Sequence, residues 1–304
     1  MKTNYMFMAF AKGKESVEAA PVKRYIGVAP VYVLAVNPSK TELEKIYNTT
    51  LENTPEYVSE AEVNGKKVKQ VRLDFIVKTV EEKCNGLEIV SKVSFFINDS
   101  VRYNKDNTKI QVINKYGETT WLPIEDAKAN RVPENLSWFE PADFRPAYIG
   151  EEELTGFIKA YLNIPNKSYR DANGNVIELK DKSEAEARLD NIANYFKGDF
   201  SELRDVVALQ PNNKVRILFG VRTTDDGKQY QTVFTQRFLK YNNTNYASLE
   251  KDVNDRKAAG AYPTTEFKIC DLQEYTIEAT DLSTAKSDDV DDLPFGDDSN
   301  PWAK

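Results

Sequence analysis

The sequence predicts an α+β fold, mainly antiparallel β: an OB-like barrel or sheet with helical insertions. Two observations lead there. Segments 67–79, 89–98 and 214–223 alternate apolar and polar residues with the period of a half-buried strand, and hairpin signals stand nearby at Asn64-Gly65 and Asp226-Gly227. Between these β-rich stretches lies a segment, about 123–210, whose prolines, aromatics and helix caps read as connections rather than strands.

Residues 1–24 lack periodicity and are expected to form a flexible N-terminal arm carrying Lys12, Lys14, Lys23 and Arg24. The β-rich body then spans 25–280. VAPVYVLAV (28–36) is valine-rich and bounded by Asn37-Pro38, which predicts a strand. Ser39 with Glu42 has the spacing of a capping box and opens a short helix to about Tyr47. In KVKQVRLDFIVKT (67–79), Val71, Leu73, Phe75 and Val77 share one face; Gln70, Arg72, Asp74 and Lys78 share the other. In the next strand Val93, Phe95 and Ile97 turn to the core, leaving Lys92, Ser94, Phe96 and Asn98 on the wetter face. A turn at Asn104 to Asn107 leads to a strand pair ending near Trp121.

The middle reads as helix at 151–162, a hairpin at Asn173-Gly174, a Ser183/Glu186-capped helix to about Phe196, and a short helix after Ser201. The β pattern returns at 214–223 and 229–240. A helix near 245–258 and a last strand near 266–278 complete the body, and 281–304 is expected to be a disordered acidic tail.

Composition narrows the chemistry. The 304 residues are 40% apolar and 29% charged, and no apolar run has the length of a bilayer crossing. The apolar part of MKTNYMFMAFAKGK is too short for a signal peptide, so a cytoplasmic location is expected. There is no histidine and there are two cysteines, Cys84 and Cys270, expected as thiols rather than a bridge. That removes a Cys/His zinc site and every Ser-His or Cys-His nucleophile. With no phosphate-binding glycine loop either, the expectation is a protein that is not an enzyme and needs no cofactor or metal; a carboxylate-dependent nuclease ranks third among the readings.

Net charge is −7, but seven Asp and two Lys in 281–304 account for −5 of it. Within the body, 66–116 holds eleven Lys/Arg against six Asp/Glu, and 212–241 six against two, whereas 42–62 holds six Glu and one Lys. Positive charge thus sits on strands, interleaved with aromatics. Lys and Arg neutralise phosphates while rings stack on unpaired bases, the arrangement that binds single-stranded nucleic acid. The candidate phosphate contacts are Arg72, Lys78, Lys92, Arg102, Lys105, Lys115, Lys214, Arg216, Arg222 and Lys240; the candidate stackers are Phe96, Tyr103, Tyr116, Trp121 and Tyr230. An antiparallel sheet with one solvated face would also show Lys and Arg in alternation, with the rings in its core.

The tail SDDVDDLPFGDDSNPWAK sets an apolar knot among acids. Asp288, Asp289, Asp291, Asp292, Asp297 and Asp298 suit a basic rim, and Leu293, Pro294, Phe295 and Trp302 suit an apolar pocket in a partner. DDLPF (291–295) resembles the acidic tip of bacterial single-stranded DNA-binding proteins, although nine residues follow the Phe here where that family ends. The whole plan of basic arm, OB-like body and acidic tail is similar to single-stranded DNA-binding proteins of tailed bacteriophages. GVAPVYVLAVNPSKTELEKIY (27–47) and GEEELTGFIKAYLNIP (150–165) share that likeness. The resemblance implies a protein coating single-stranded DNA in replication, recombination or repair with little sequence preference. Its tail would recruit replication or recombination proteins and compete with DNA for the binding groove. The rival reading is a structural or packaged virion protein, or a protein-interaction module, with an acidic docking tail.

Overall fold

The computed structural model describes residues 23–140, 143–171 and 173–275. The arm, apart from Lys23 and Arg24, and the whole acidic tail with Asp288, Asp289, Asp291, Asp292, Leu293, Pro294, Phe295, Asp297, Asp298 and Trp302 lie outside the described residues. In chain order the elements are β1 (Arg24–Val36), α1 (Lys40–Tyr47), β2 (Val58–Val63), β3 (Lys66–Thr79), β4 (Val90–Val101), β5 (Lys109–Ile113), β6 (Thr119–Pro123), α2 (Ile124–Lys128), β7 (Arg145–Pro146) and β8 (Tyr148–Ile149). They continue with α3 (Glu151–Tyr161), β9 (Ser168–Arg170), β10 (Val176–Glu178), α4 (Ile192–Tyr195), α5 (Ser201–Leu209), β11 (Val215–Thr223), β12 (Gln229–Val233), β13 (Leu239–Lys240), α6 (Ala247–Ala258), β14 (Thr265–Phe267) and β15 (Gln273–Tyr275).

The main sheet runs β12-β11-β1-β3-β4-β8, antiparallel at every step, with further short strands pairing β11, β1 and β3. It is curled and its path is open, so the OB-like expectation is met as a sheet rather than a closed barrel. Its inner face is the main core. Val31, Val33, Leu73, Phe75, Val93, Phe95, Ile217 and Phe219 meet Leu154, Phe157 and Tyr161 of α3 and Ile192, Tyr195 and Leu203 of α4 and α5. At its centre Phe157 packs on Phe75, Phe95 and Phe238 at centroid separations of 4.8, 5.5 and 5.1 Å. Each such pair adds about 0.5–1.5 kcal/mol to the burial itself. Gly150 makes the join between sheet and insertion: at φ +90° its α-carbon lies so close to β4 that a Cβ would sit 1.9 Å from the Phe96 carbonyl oxygen.

The outer face is not left to water. Leu43 and Leu51 lie over Ile76, with Tyr47 and Val90 beside them, so α1 and the segment after it cover β3. Gln70, Asp74 and Ile76 are consequently buried, although the alternation of β3 placed Gln70 and Asp74 on a polar surface. At the other end Leu249 and Val253 of α6, with Phe234 and Phe267, cover Val28 and Leu218. Between α1 and α6 the sheet is only partly covered: Tyr32, Lys78 and Arg216 are half-buried.

Three elements differ from expectation. The strand expected at 229–240 is broken into β12 and the two-residue β13, which pair different parts of β11. Asp181, not Ser183, caps the turn at Lys182–Ala185, taking the Ser183 N–H at 2.9 Å, and a helix does not follow. Ala187 and Arg188 donate instead to the Lys115 carbonyl, and the chain stays extended until α4. The strand expected at 266–278 is divided: β14 pairs β11, β15 pairs β1, and the crossing between them is held by Val28 N–H on the Cys270 carbonyl at 2.8 Å.

Candidate nucleic-acid interface

Around Asp74 the positive charge of the sheet is used internally. Asp74, 2% exposed, accepts a hydrogen bond from Ser94 Oγ at 2.8 Å and has Arg72 Nε at 3.1 Å and Lys92 Nζ at 3.9 Å. The Lys92 side chain is only 5% exposed. Arg72 also lies 5.7 Å over the ring of Tyr57, whose phenol donates to the Pro38 carbonyl at 2.6 Å. Burial, and then the Asp74 charge, raise the Tyr57 phenol well above its ordinary pKa. Lys92 is thus a buried counter-ion of Asp74, and Arg72, its side chain 26% exposed, is engaged by Asp74 and the Tyr57 ring. Phe96, cross-strand from Arg72, is half-buried on the same face.

A second group belongs to the small β6-β5-β7 sheet. Arg102 stands 5.7 Å over the ring of half-buried Trp121 and 3.7 Å from Glu152. Gln111 and Thr119, on the same face as Trp121, also donate to Glu152, at 2.9 and 2.8 Å. Tyr103 is exposed beside the turn that carries exposed Lys105. Lys115 pairs with Glu186 at 2.9 Å, and Tyr116 beside it is 3% exposed, walled by Lys115 and Lys167 at 5.3 and 5.6 Å. A ring that buried has no free face for a base, which removes Tyr116 as a stacker. Lys240, cross-strand from Val215 on the inner face, is kept below its ordinary pKa by burial.

The remaining candidates lie on the outer face in two places. Arg222 and Tyr230 are cross-strand partners on β11 and β12, with the guanidinium 5.6 Å over the ring. Six residues away, roughly 20 Å along the strand at about 3.3 Å per residue, Lys214 and Arg216 open β11. Gly220 lies between them, where a Cβ would meet the Phe267 ring at 2.5 Å, so strand and aromatic close together beneath the α6 cover.

Lys214 and Arg216 flank one ring. Their charged ends are 5.3 and 5.7 Å from the centroid of Tyr241, and Arg216 Nε donates to the Tyr241 carbonyl at 2.7 Å. Across β1, Tyr32 is the cross-strand partner of Lys78, whose ammonium is held 2.5 Å from Glu88. That hydrogen bond to Glu88 is the main cause of Lys78's raised pKa. Among the described residues neither Lys214 nor Arg216 is in an ion pair. Two clefts meet here: one of about 200 Å³ against Tyr32, Pro211, Asn212 and Lys214, and one of about 170 Å³ against Asn212, Lys214, Tyr241 and their neighbours. Tyr32 and Tyr241 were not among the sequence candidates. The strand pattern of β1 marks Tyr32 as facing opposite Val31 and Val33, but only the folded sheet brings it alongside Lys214.

Among the described residues no three Cys, Asp or Glu side chains are grouped to hold a metal ion, and no helix is long and apolar enough to cross a membrane. Cys84 is buried, Cys270 half-buried, and both are free thiols; burial pushes Cys84 up to about 11. No protein-family model, curated protein or solved structure matches the chain.

Proposed function

We propose that the chain binds single-stranded DNA along the partly covered strip of sheet between α1 and α6. The observation that carries this reading is the placement of Lys214 and Arg216, without carboxylate partners among the described residues, around Tyr241 at the mouth of two open clefts. Phosphates would meet Lys214 and Arg216, and unpaired bases would stack against the exposed parts of the half-buried Tyr241 and Tyr32 rings. The tail 281–304 would recruit replication or recombination proteins and, being polyanionic, occupy the same cations when DNA is absent. The likeness to phage proteins supports a role in phage replication or recombination in the host cytoplasm. Fluorescence anisotropy with labelled oligo-dT tests the reading: submicromolar binding that weakens steeply with salt is expected, and no binding at low salt would refute it.

A protein-interaction role is the second reading. Trp138 and Tyr169 are each 52% exposed, and Ile177, cross-strand from Tyr169 on the β9–β10 hairpin, is 37% exposed, exposed apolar side chains of the kind that dock a partner.

A further inference from the structure

Lys78 lies level with Lys214 on the outer face of the sheet. The β1–β11 register ends at Val31 opposite Val215, which sets Tyr32 level with Lys214, and Tyr32 is the cross-strand partner of Lys78 on β3. Lys214, Tyr32 and Lys78 thus form one row across three neighbouring strands, about 10 Å from end to end at about 4.8 Å per strand. Lys214 and Tyr32 wall the cleft of about 200 Å³, and the Tyr32 hydroxyl stands beside the Lys78 ammonium. The two lysines differ in one respect: Lys78 has Glu88 at 2.5 Å. Glu88 comes from the β3–β4 connection, and its neighbours on both sides are tied to one buried hydroxyl. Thr79, 1% exposed, donates from Oγ1 to the Leu87 carbonyl at 2.7 Å and accepts the Ile89 N–H at 2.9 Å. Thr79 N–H bonds to the Ile89 carbonyl at 3.0 Å, and Leu87 N–H closes the turn on the Cys84 carbonyl at 2.9 Å. The backbone of Glu88 is therefore fixed at both flanks, while its side chain, 41% exposed, meets Lys78 at the surface.

We infer that Glu88 is a built-in substitute for a DNA phosphate, which masks Lys78 until a bound strand displaces it. The inference rests on the reading of the strip as a single-stranded DNA path and adds a control on the affinity of that path. A carboxylate and a phosphodiester both present anionic oxygens to an ammonium, so they compete for the same donors of Lys78. An ion pair this exposed gains little over its separated, hydrated ions, so a strand already held at Lys214 and Arg216 takes Lys78 over at small cost. Before the exchange the Glu88 charge repels phosphate from the row. The Asp74 cluster lacks this property: Lys92 and Asp74 are 5% and 2% exposed, out of reach of a strand. The mask also leaves a trace in the salt dependence. With Glu88 present, the strand replaces one anion by another at Lys78; without it, the same contact releases a counterion from the strand with no carboxylate set free in exchange.

The test is anisotropy of labelled oligo-dT with the full chain, over a salt series, for wild type, E88Q, K78A and the K78A/E88Q double variant. E88Q is expected to bind about 1.5- to 5-fold more tightly at low salt, the range of one exposed ion pair. Its salt slope should be steeper by about 0.7–1, the share of one phosphate contact. In the K78A background the Glu88→Gln change should bring neither the gain nor the steeper slope. K78Q, which keeps most of the stem on β3, replaces K78A in the cycle if K78A fails to fold. E88Q equal to wild type in affinity and slope, with oligo-dT still bound in a salt-dependent manner, overturns the mask and leaves the path intact. A gain that persists in the K78A background reports the removed charge alone and overturns the mask as well. No binding by wild type or E88Q at low salt overturns the path and the mask together.

Discussion

Asp74 holds Arg72 and Lys92 inside the fold, and the cost of removing it separates structural cations from those available to a ligand. Loss of one partner from a buried ionic group typically costs about 3–5 kcal/mol, because the charges left behind stay desolvated. Asp74→Ala should therefore lower the unfolding free energy in urea by about that amount; a change under about 1 kcal/mol would mean the cluster is not buried in solution. The alternation of β3 shows which residues share a face and was sufficient to find Val71, Leu73, Phe75 and Val77 in the core. It does not show what covers the opposite face. Arg72 and Lys92 looked like surface residues because α1, the element that closes over them, precedes them in sequence by a hairpin and a loop. Lys214 and Arg216 have the same pattern and are half-buried, with Arg216 bonded to the Tyr241 carbonyl and the Tyr246 hydroxyl but neither paired with a carboxylate among the described residues.

At the scale of elements, α1 shows the clearest agreement between local signal and structure. Ser39 Oγ accepts the Glu42 N–H, and the Glu42 carboxylate accepts the Ser39 N–H at 2.7 Å. That backbone bond is the chief cause of Glu42's lowered pKa. A carboxylate depressed in the folded state stabilises it above its unfolded pKa, and the contribution disappears as pH falls through the folded value. Between pH 6 and pH 3 the thermal midpoint of the wild type should thus fall further than that of Glu42→Gln; parallel falls would contradict the capping box as the source. The helix expected at 183–196 failed for a reason of the same size. Asp181 competes for the Ser183 N–H, and the Lys115 carbonyl, 72 positions before Ala187, captures two N–H groups the helix would have used. A capping box is contained in four residues and is legible; a carbonyl supplied across the fold is not.

At the scale of the whole molecule, the proposed path takes a polyanion on Lys214 and Arg216, which have no carboxylate partner among the described residues. Deleting 281–304 would change the net charge from −7 to −2 and remove the segment proposed to compete for the strip. Truncation should tighten binding to oligo-dT, and unchanged or weaker binding would contradict autoinhibition. The α+β sheet and the insertion were legible because alternation, turns and caps are local. The proposed strip was only partly so: Lys214 and Arg216 were named from their strand, but Tyr32 and Tyr241 join them through β1–β11 and β11–β13 pairing. The buried Tyr116 and the dispersed Arg102 and Arg222 show the converse, residues of the right type that the fold places apart. The most direct measurement is anisotropy of labelled oligo-dT over a salt series for wild type, Lys214→Ala and Tyr241→Ala. Lys214→Ala should lower the salt slope by about 1, and Tyr241→Ala should cost about 1–3 kcal/mol of binding, about 5- to 150-fold in Kd. Wild-type affinity and slope in both variants would contradict the strip as the binding surface.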